Sequence, residues 1–173
     1  MNRRRLPAAI LSLSSLLSLP SLLGCHRSDP PLALDAGAQT RQARIFMIAL
    51  DRGAASSPKA GCGGNAKAVE VELPVAAPAL RGSLEALLAA GDRYESAGLY
   101  NSLAHSPLRL ERLERTGAAV RIYLDGYLEL GGDCDGSNVL AQLTETATQF
   151  RDVDKAELFL DGKPLLELLD GKE

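Results

Sequence analysis

The chain has 173 residues, enough for one domain with appendages and little more. Apolar residues at 46% and charged residues at 24% exclude wholesale disorder, collagen and coiled coil. A formal charge of −3 leaves no basic surplus for a phosphate backbone, so nucleic acid is not an expected partner, and two histidines exclude a centre built on several of them.

Residues 1–24 read as a secretory signal outside the fold. Arg3, Arg4 and Arg5 form its positive start, and Leu6 to Leu23 follows without a charge. Pro7, Pro20 and five serines argue against a transmembrane span. Leu22-Leu23-Gly24-Cys25 resembles the bacterial lipobox, which implies cleavage before Cys25 and acylation of its thiol and new amine. Several acyl chains on one residue anchor strongly, at roughly 0.8 kcal/mol per buried CH2. By the same resemblance, His26 rather than Asp after the cysteine favours the periplasmic side of the outer membrane in a Gram-negative cell. Removing the three arginines leaves 16 basic against 22 acidic residues, a net −6, so the body is expected to stand off anionic lipid. No cofactor is expected.

Two further cysteines, Cys62 and Cys134, remain in a compartment that permits disulfides. One pairing is available, and it closes a loop of about 70 residues, for which chain entropy alone suggests roughly 4 kcal/mol. Both lie in glycine-rich segments, whose backbone freedom helps meet bridge geometry. Two free thiols are the alternative. Two cysteines without a local histidine make a poor zinc site, so no metal is expected.

Residues 25–42 read as the lipidated cysteine and a flexible tether, with Pro30-Pro31 and no period. The domain is expected over residues 43–173. Arg44 to Leu50 is apolar on both faces, as in a central strand. Asp51 to Lys67 reads as a loop. Val69, Val71 and Leu73 alternate with Glu70 and Glu72, an exposed-edge pattern that Pro74 ends. Pro78 suits a first helical turn, Leu80, Leu84, Leu87 and Leu88 mark one helical face, and Gly91 stops the helix. Asp92 to Pro107 is a long connection ordered by Tyr94, Leu99, Tyr100 and Leu103.

Leu108 to Glu111 alternates, and the register shift at Arg112-Leu113 suggests a bulge. Thr116-Gly117 turns the chain. Val120, Ile122 and Leu124 then point inward from a half-buried strand. Asp125-Gly126 is either a type I′ hairpin turn or a bend in a longer strand to Leu130, with the bend preferred. Ser137 or Asn138 can cap a second helix with an apolar face of Val139, Leu140, Leu143, Ala147 and Phe150. Ala156, Leu158 and Leu160 alternate with Glu157 and Phe159 as a last strand, Asp161-Gly162 turns, and Pro164 to Leu169 packs as a leucine-rich tail. Two helices need one large partner for their apolar faces. The expectation is an α+β fold: a three- to five-stranded mixed or antiparallel sheet with both helices on one face, in the order β-α-β-β-α-β.

Several segments in this order resemble the GerMN domain family. Leu80-Arg81-Gly82-Ser83-Leu84-Glu85-Ala86-Leu87-Leu88 is similar to its first helix, and Gly98-Leu99-Tyr100-Asn101-Ser102-Leu103 to the loop that follows. Gln142 to Phe150 is similar to its second helix. Val153-Asp154-Lys155 with Asp161-Gly162-Lys163-Pro164-Leu165 resembles its last strand and turn, and the Cys62 and Cys134 segments resemble a subset with two loop cysteines. The resemblance implies an extracytoplasmic, non-catalytic module in an envelope assembly. Where the family often has Gly-Pro after the first helix, Gly91 is followed by Asp92, which implies a different loop.

Chemistry-bearing patterns are otherwise scarce. No Gly-x-Ser-x-Gly, His-Glu-x-x-His or P-loop occurs. His105 is the one histidine in the domain, and adjacency to Ser102 and Ser106 does not make a triad. The spacing of Asp133, Asp135 and Asn138 misses the EF-hand register, since glycine stands at 136. Enzyme activity is therefore not expected. Asn101 is expected to bond nearby backbone, and Gln142 and Gln149 to cap or bridge. Two binding candidates remain. Arg121, Tyr123 and Phe159, with Ile45 and Met47, could crowd the sheet face away from the helices and touch an envelope protein or a second copy. Alternatively, Tyr100 and Asn101 beside His105 could line a pocket for a small ligand such as a peptidoglycan fragment.

Overall fold

The computed structural model describes residues 39–49, 64–94 and 98–170. All of them fall within Asp35–Glu173, which clusters as one unit. The signal segment, Cys25, the tether through residue 38 and Cys62 lie outside the described residues.

Strand β1 runs Thr40–Ala49 and pairs antiparallel with β2, Asn65–Pro74, over ten residues. The strand therefore starts three residues before the expected domain boundary, since Thr40, Arg41 and Gln42 pair with Pro74, Leu73 and Glu72. Asn65 to Lys67, read from sequence as loop, likewise belong to β2. Helix α1, Ala79–Ala89, follows Pro78 and buries Leu80, Leu84 and Leu87. The connection after it holds two short strands, β3 at Arg93–Tyr94 and β4 at Leu99–Tyr100, too brief to leave a period in the sequence. They complete an antiparallel sheet of order β2-β1-β4-β3.

A second sheet has the order β5-β6-β7-β8. Its strands are β5, Leu108–Thr116; β6, Ala119–Gly126; β7, Lys155–Leu160; and β8, Lys163–Pro164. The β5–β6 register shifts between Leu110 and Arg112, placing the bulge at Glu111. Helix α2, Asp135–Thr148, crosses from β6 to the parallel β7. Asp161 and Gly162 have φ of +48° and +79°, the left-handed pair of a two-residue hairpin turn. A short helix α3, Leu165–Asp170, ends the described chain. The α+β class is observed, with its strands divided between two four-stranded sheets around one core. Val120, Ile122, Leu124, Val139 and Leu143 meet Ile45, Met47 and Leu84 there, all at most 1% exposed. Full burial of such a side chain contributes roughly 1.5–3 kcal/mol.

At Asp125-Gly126 the structure takes neither the hairpin nor the long strand. β6 stops at Gly126, whose φ is +123° and whose missing Cβ would stand 2.1 Å from the Pro107 carbonyl oxygen. The chain continues irregularly, with Leu128 buried and Tyr127 exposed. Helix α2 also starts before the expected Ser137 or Asn138 cap. Asp135 occupies its first turn, where a carboxylate suits the helix dipole, and its Oδ2 accepts the Gly131 amide at 2.7 Å. Asn138 is thereby placed inside the helix and turned into the core.

The apolar stripe of α2 is accompanied by a buried polar stripe, Asn138, Gln142 and Thr146, continued by the half-buried Gln149. Its side chains serve the edge of β1 that β2 leaves open. Gln142 Nε2 donates to the Phe46 carbonyl at 3.0 Å, Thr146 Oγ1 accepts the Phe46 amide at 3.1 Å, and Gln149 Nε2 donates to the Arg44 carbonyl at 2.8 Å. A helix thus supplies hydrogen bonds that a neighbouring strand would otherwise supply, which keeps these main-chain groups satisfied away from water.

Candidate functional site

The sequence candidates fall in two separate places. Tyr100 and Asn101 belong to a polar cluster joining the loop after α1 to α2. Asn101 is 2% exposed; its Nδ2 donates to the Leu87 and Ala90 carbonyls at 3.2 and 3.0 Å, capping the end of α1. Its Oδ1 accepts the Leu103 amide and Gln142 Nε2 at 3.0 and 3.1 Å. Gln142 Oε1 accepts the Ser102 amide at 2.9 Å. Asn101 and Gln142 therefore cap and bridge, as expected from their sequence positions.

Tyr100 extends the cluster outward. Its hydroxyl accepts Asn138 Nδ2 at 2.7 Å, and Ser102 Oγ donates to Asp135 Oδ1 at 3.3 Å. Burial raises the Tyr100 phenol above its ordinary value; the Ser102 hydrogen bond opposes this and the Asp135 charge adds to it. A depression of about 130 Å³ opens here, with Tyr100, Ser102, His105 and Asp135 on its walls. That is well under the roughly 300–1,000 Å³ typical of ligand pockets. Ser106 Oγ is engaged with the Glu129 main chain at 3.0 and 3.2 Å, so the hydroxyls flanking His105 are committed elsewhere.

Arg121, Tyr123 and Phe159 do come together, on the face of the second sheet opposite Val120, Ile122 and Leu124. The parallel register sets Tyr123 beside Phe159 and Arg121 beside Glu157. The rings stack with centroids 4.9 Å apart and an interplanar angle of 17°. The Arg112 guanidinium lies 3.6 Å above the Tyr123 centroid. Three strands thus contribute one layered unit, Arg112 on Tyr123 on Phe159. The aromatic pair contributes about 0.5–1.5 kcal/mol beyond area burial, and an exposed cation–π contact about 0.5–1 kcal/mol.

Charges around this unit are matched. Arg112 Nε donates to Glu114 Oε1 at 3.0 Å, and Tyr123 donates to Glu114 Oε2 at 3.1 Å. Glu157 takes Arg121 Nε at 3.0 Å and Lys155 Nζ at 2.8 Å. Arg112 first and Tyr123 next hold the Glu114 carboxyl below its usual range; Lys155 first and Arg121 next do the same for Glu157. These groups are solvent-exposed, so the pairs fix geometry more than they add stability. Sequence reading missed Arg112, whose role depends on the bulge at Glu111. It also placed Ile45 and Met47 on this face, whereas both are fully buried in the core, because β1 belongs to the other sheet.

Cys134 precedes α2 and is half-buried; its expected partner Cys62 lies outside the described residues. Among the described residues, no group of three or more His, Cys, Asp or Glu is arranged to hold a metal ion. Among the same residues, no helix is long and apolar enough to cross a membrane.

Comparison with known proteins accords with this architecture. The sequence search against curated proteins returns no match. A solved structure of the tandem GerMN domains of the sporulation protein GerM from Bacillus subtilis is similar, with a TM-score of 0.54 and 13% identity, over 79% of this chain and 44% of that one. The first GerMN domain of the same protein gives a TM-score of 0.49 and 17% identity, over 72% of this chain and 85% of that one. This chain thus spans less than half of the tandem structure. Residues 59–166 match the family model described as Germane: Sporulation and spore germination. The chain belongs to the Germane, or GerMN, domain family.

Proposed function

We propose that this chain is a lipid-anchored, non-catalytic module of the bacterial cell envelope that binds another envelope protein, or a second copy of itself, through the outer face of its second sheet. The observation that carries the reading is the Arg112–Tyr123–Phe159 stack. Tyrosine and arginine are the residues that anchor protein contacts, and here their orientations are fixed before any partner arrives. The leucine-rich tail leaves the stack uncovered: Leu165 is buried in the core, and Leu169 lies against Gly136 of α2. The lipobox at Leu22–Cys25 supports anchoring at Cys25, which holds the module at a membrane surface.

The absence of turnover is supported by how the polar groups are spent. Ser102, Ser106, Asn101 and Gln142 bond within the fold, and the charged groups around Tyr123 are paired with one another. We also infer a Cys62–Cys134 disulfide, supported by the extracytoplasmic signal and by the glycine-rich backbone around both cysteines. Two experiments test the reading. Radiolabelled fatty acid should appear on the wild-type protein and be absent from Cys25→Ser. Co-purification from crosslinked envelopes should recover a discrete partner, and Arg121→Glu should reduce that recovery. Unlabelled protein in the cytosol, or repeated recovery of no partner, would count against it.

A further inference from the structure

The open edge of β1 changes partner along its length. Ile48 pairs with Tyr100 of β4. Phe46 is served by Gln142 and Thr146 of α2, and the Arg44 carbonyl by Gln149, the residue that caps its C-terminus. Main-chain groups alternate sides along an antiparallel strand. The Gln39 carbonyl accepts the Val75 amide on the β2 side, while Phe46 uses the opposite side. Even-numbered residues of β1 therefore turn their amides and carbonyls away from β2. Beyond the last turn of α2 this leaves both groups of Thr40, both groups of Gln42 and the Arg44 amide, none with a partner among the described residues. All three residues are exposed.

A cavity of about 470 Å³ lies beside this stretch, with Arg41, Arg44, Glu70, Gln149 and Phe150 among its walls. The Arg41 guanidinium donates a terminal nitrogen to the Ala77 carbonyl, but its Nε is buried without a partner. Arg41 and Arg44 stand on opposite faces of β1, so the edge carries one guanidinium on each side, with Glu70 across from Arg44. The Phe150 ring and the Ala43 and Ala79 methyl groups supply apolar wall.

We propose that the β1 edge from Thr40 to Arg44 accepts an added strand from a protein partner, an extended segment of about five residues carrying a carboxylate. Its main chain would pair with Thr40, Gln42 and Arg44, in line with the side chains that α2 already presents to Phe46. Its carboxylate would meet Arg44, and its alternate side chains would face Phe150. The proposal rests on the module reading for a protein ligand but uses a different surface from the Tyr123 stack.

The test uses the mature, lipidated protein in detergent micelles, isotopically labelled for amide detection. The probe is the acetylated, amidated peptide Val-Glu-Val-Glu-Leu, the sequence that β2 offers to the other edge at residues 69–73. Saturable shifts at Gln42 and Arg44 are expected, with amide exchange there slowed about tenfold, the equivalent of one net hydrogen bond. A peptide with lysine in place of glutamate should bind more weakly, and one N-methylated at alternate residues should not bind. Gln42→Pro removes only an outward-facing amide, which edge strands tolerate, and should lower affinity about tenfold with the fold intact by circular dichroism. Arg44→Glu should abolish the preference for the acidic peptide. Unchanged Gln42 and Arg44 amides at millimolar peptide, or equal binding of the N-methylated peptide, would overturn the proposal. Protection of those amides before peptide is added would also overturn it, because the chain itself or a second copy would then hold the edge. Partner capture through the Tyr123 face would survive any of these failures, so the two readings fail separately.

Discussion

Gln142 reaches from α2 to the Phe46 carbonyl at 3.0 Å, across 96 residues of sequence, and stands where an adjacent strand would place its amide. The same side chain accepts the Ser102 amide and donates to Asn101. One fully buried amide thus joins β1, the loop after α1 and α2.

Gln142→Leu keeps similar bulk but leaves the Phe46 carbonyl and the Ser102 amide without their partner. Each buried group left unpaired costs about 1–3 kcal/mol, so a loss of about 2–5 kcal/mol is expected in urea unfolding. Gln149→Leu, at a half-buried site, is expected to cost about 0.5–1.5 kcal/mol. Equal costs for the two would contradict the bridging role of Gln142.

Gly126→Ala would drive a methyl carbon into the Pro107 carbonyl oxygen at a backbone φ of +123°. A destabilisation of about 2 kcal/mol or more is expected in the same assay. Gly132, with nothing within 4 Å of an added Cβ, serves as the control, and Gly132→Ala should change stability by less than about 0.5 kcal/mol.

The matched charges on the outer face give a pH signature. Arg112 and Tyr123 lower the Glu114 carboxyl, and Lys155 and Arg121 lower that of Glu157. A depressed carboxyl stabilises the fold above its unfolded value, and that contribution is lost as pH falls through the folded value. Carboxyl titration by NMR should therefore place both groups below the usual glutamate range. Arg112→Gln should return Glu114 toward the ordinary range and leave Glu157 unmoved. Coincident movement of both would mean that the two clusters are one.

Under non-reducing conditions the native mature protein should present no alkylatable thiol by mass spectrometry. Cys134→Ser should lower stability by roughly 2–5 kcal/mol. Two reactive thiols in the native chain would refute the bridge.

The apolar signals were legible where one face meets the core. The leucines of α1, the Val120–Ile122–Leu124 alternation and the Asp161-Gly162 turn stand as read. The division into two sheets was not legible, because β3 and β4 have two residues each and strand order leaves no periodic trace. The polar stripe on α2 was only partly legible. Gln142 is legible as a bridge, but Asn138 and Thr146 carry the composition of a solvent face; Thr146 is drawn in by the open edge of β1 and Asn138 by the Tyr100 hydroxyl. The outer face was half legible: Arg121, Tyr123 and Phe159 followed from alternation, whereas Arg112 required the bulge at Glu111 to bring it over the ring.

The proposed binding role of the outer face is tested most directly by a photo-crosslinking amino acid at position 121, beside the Tyr123–Phe159 stack, compared with the same group at Glu85 on the exposed face of α1. Irradiation of intact cells should give one discrete adduct mass from position 121 and none from position 85. No adduct from position 121, or the same adducts from both positions, would contradict a docking role for this face.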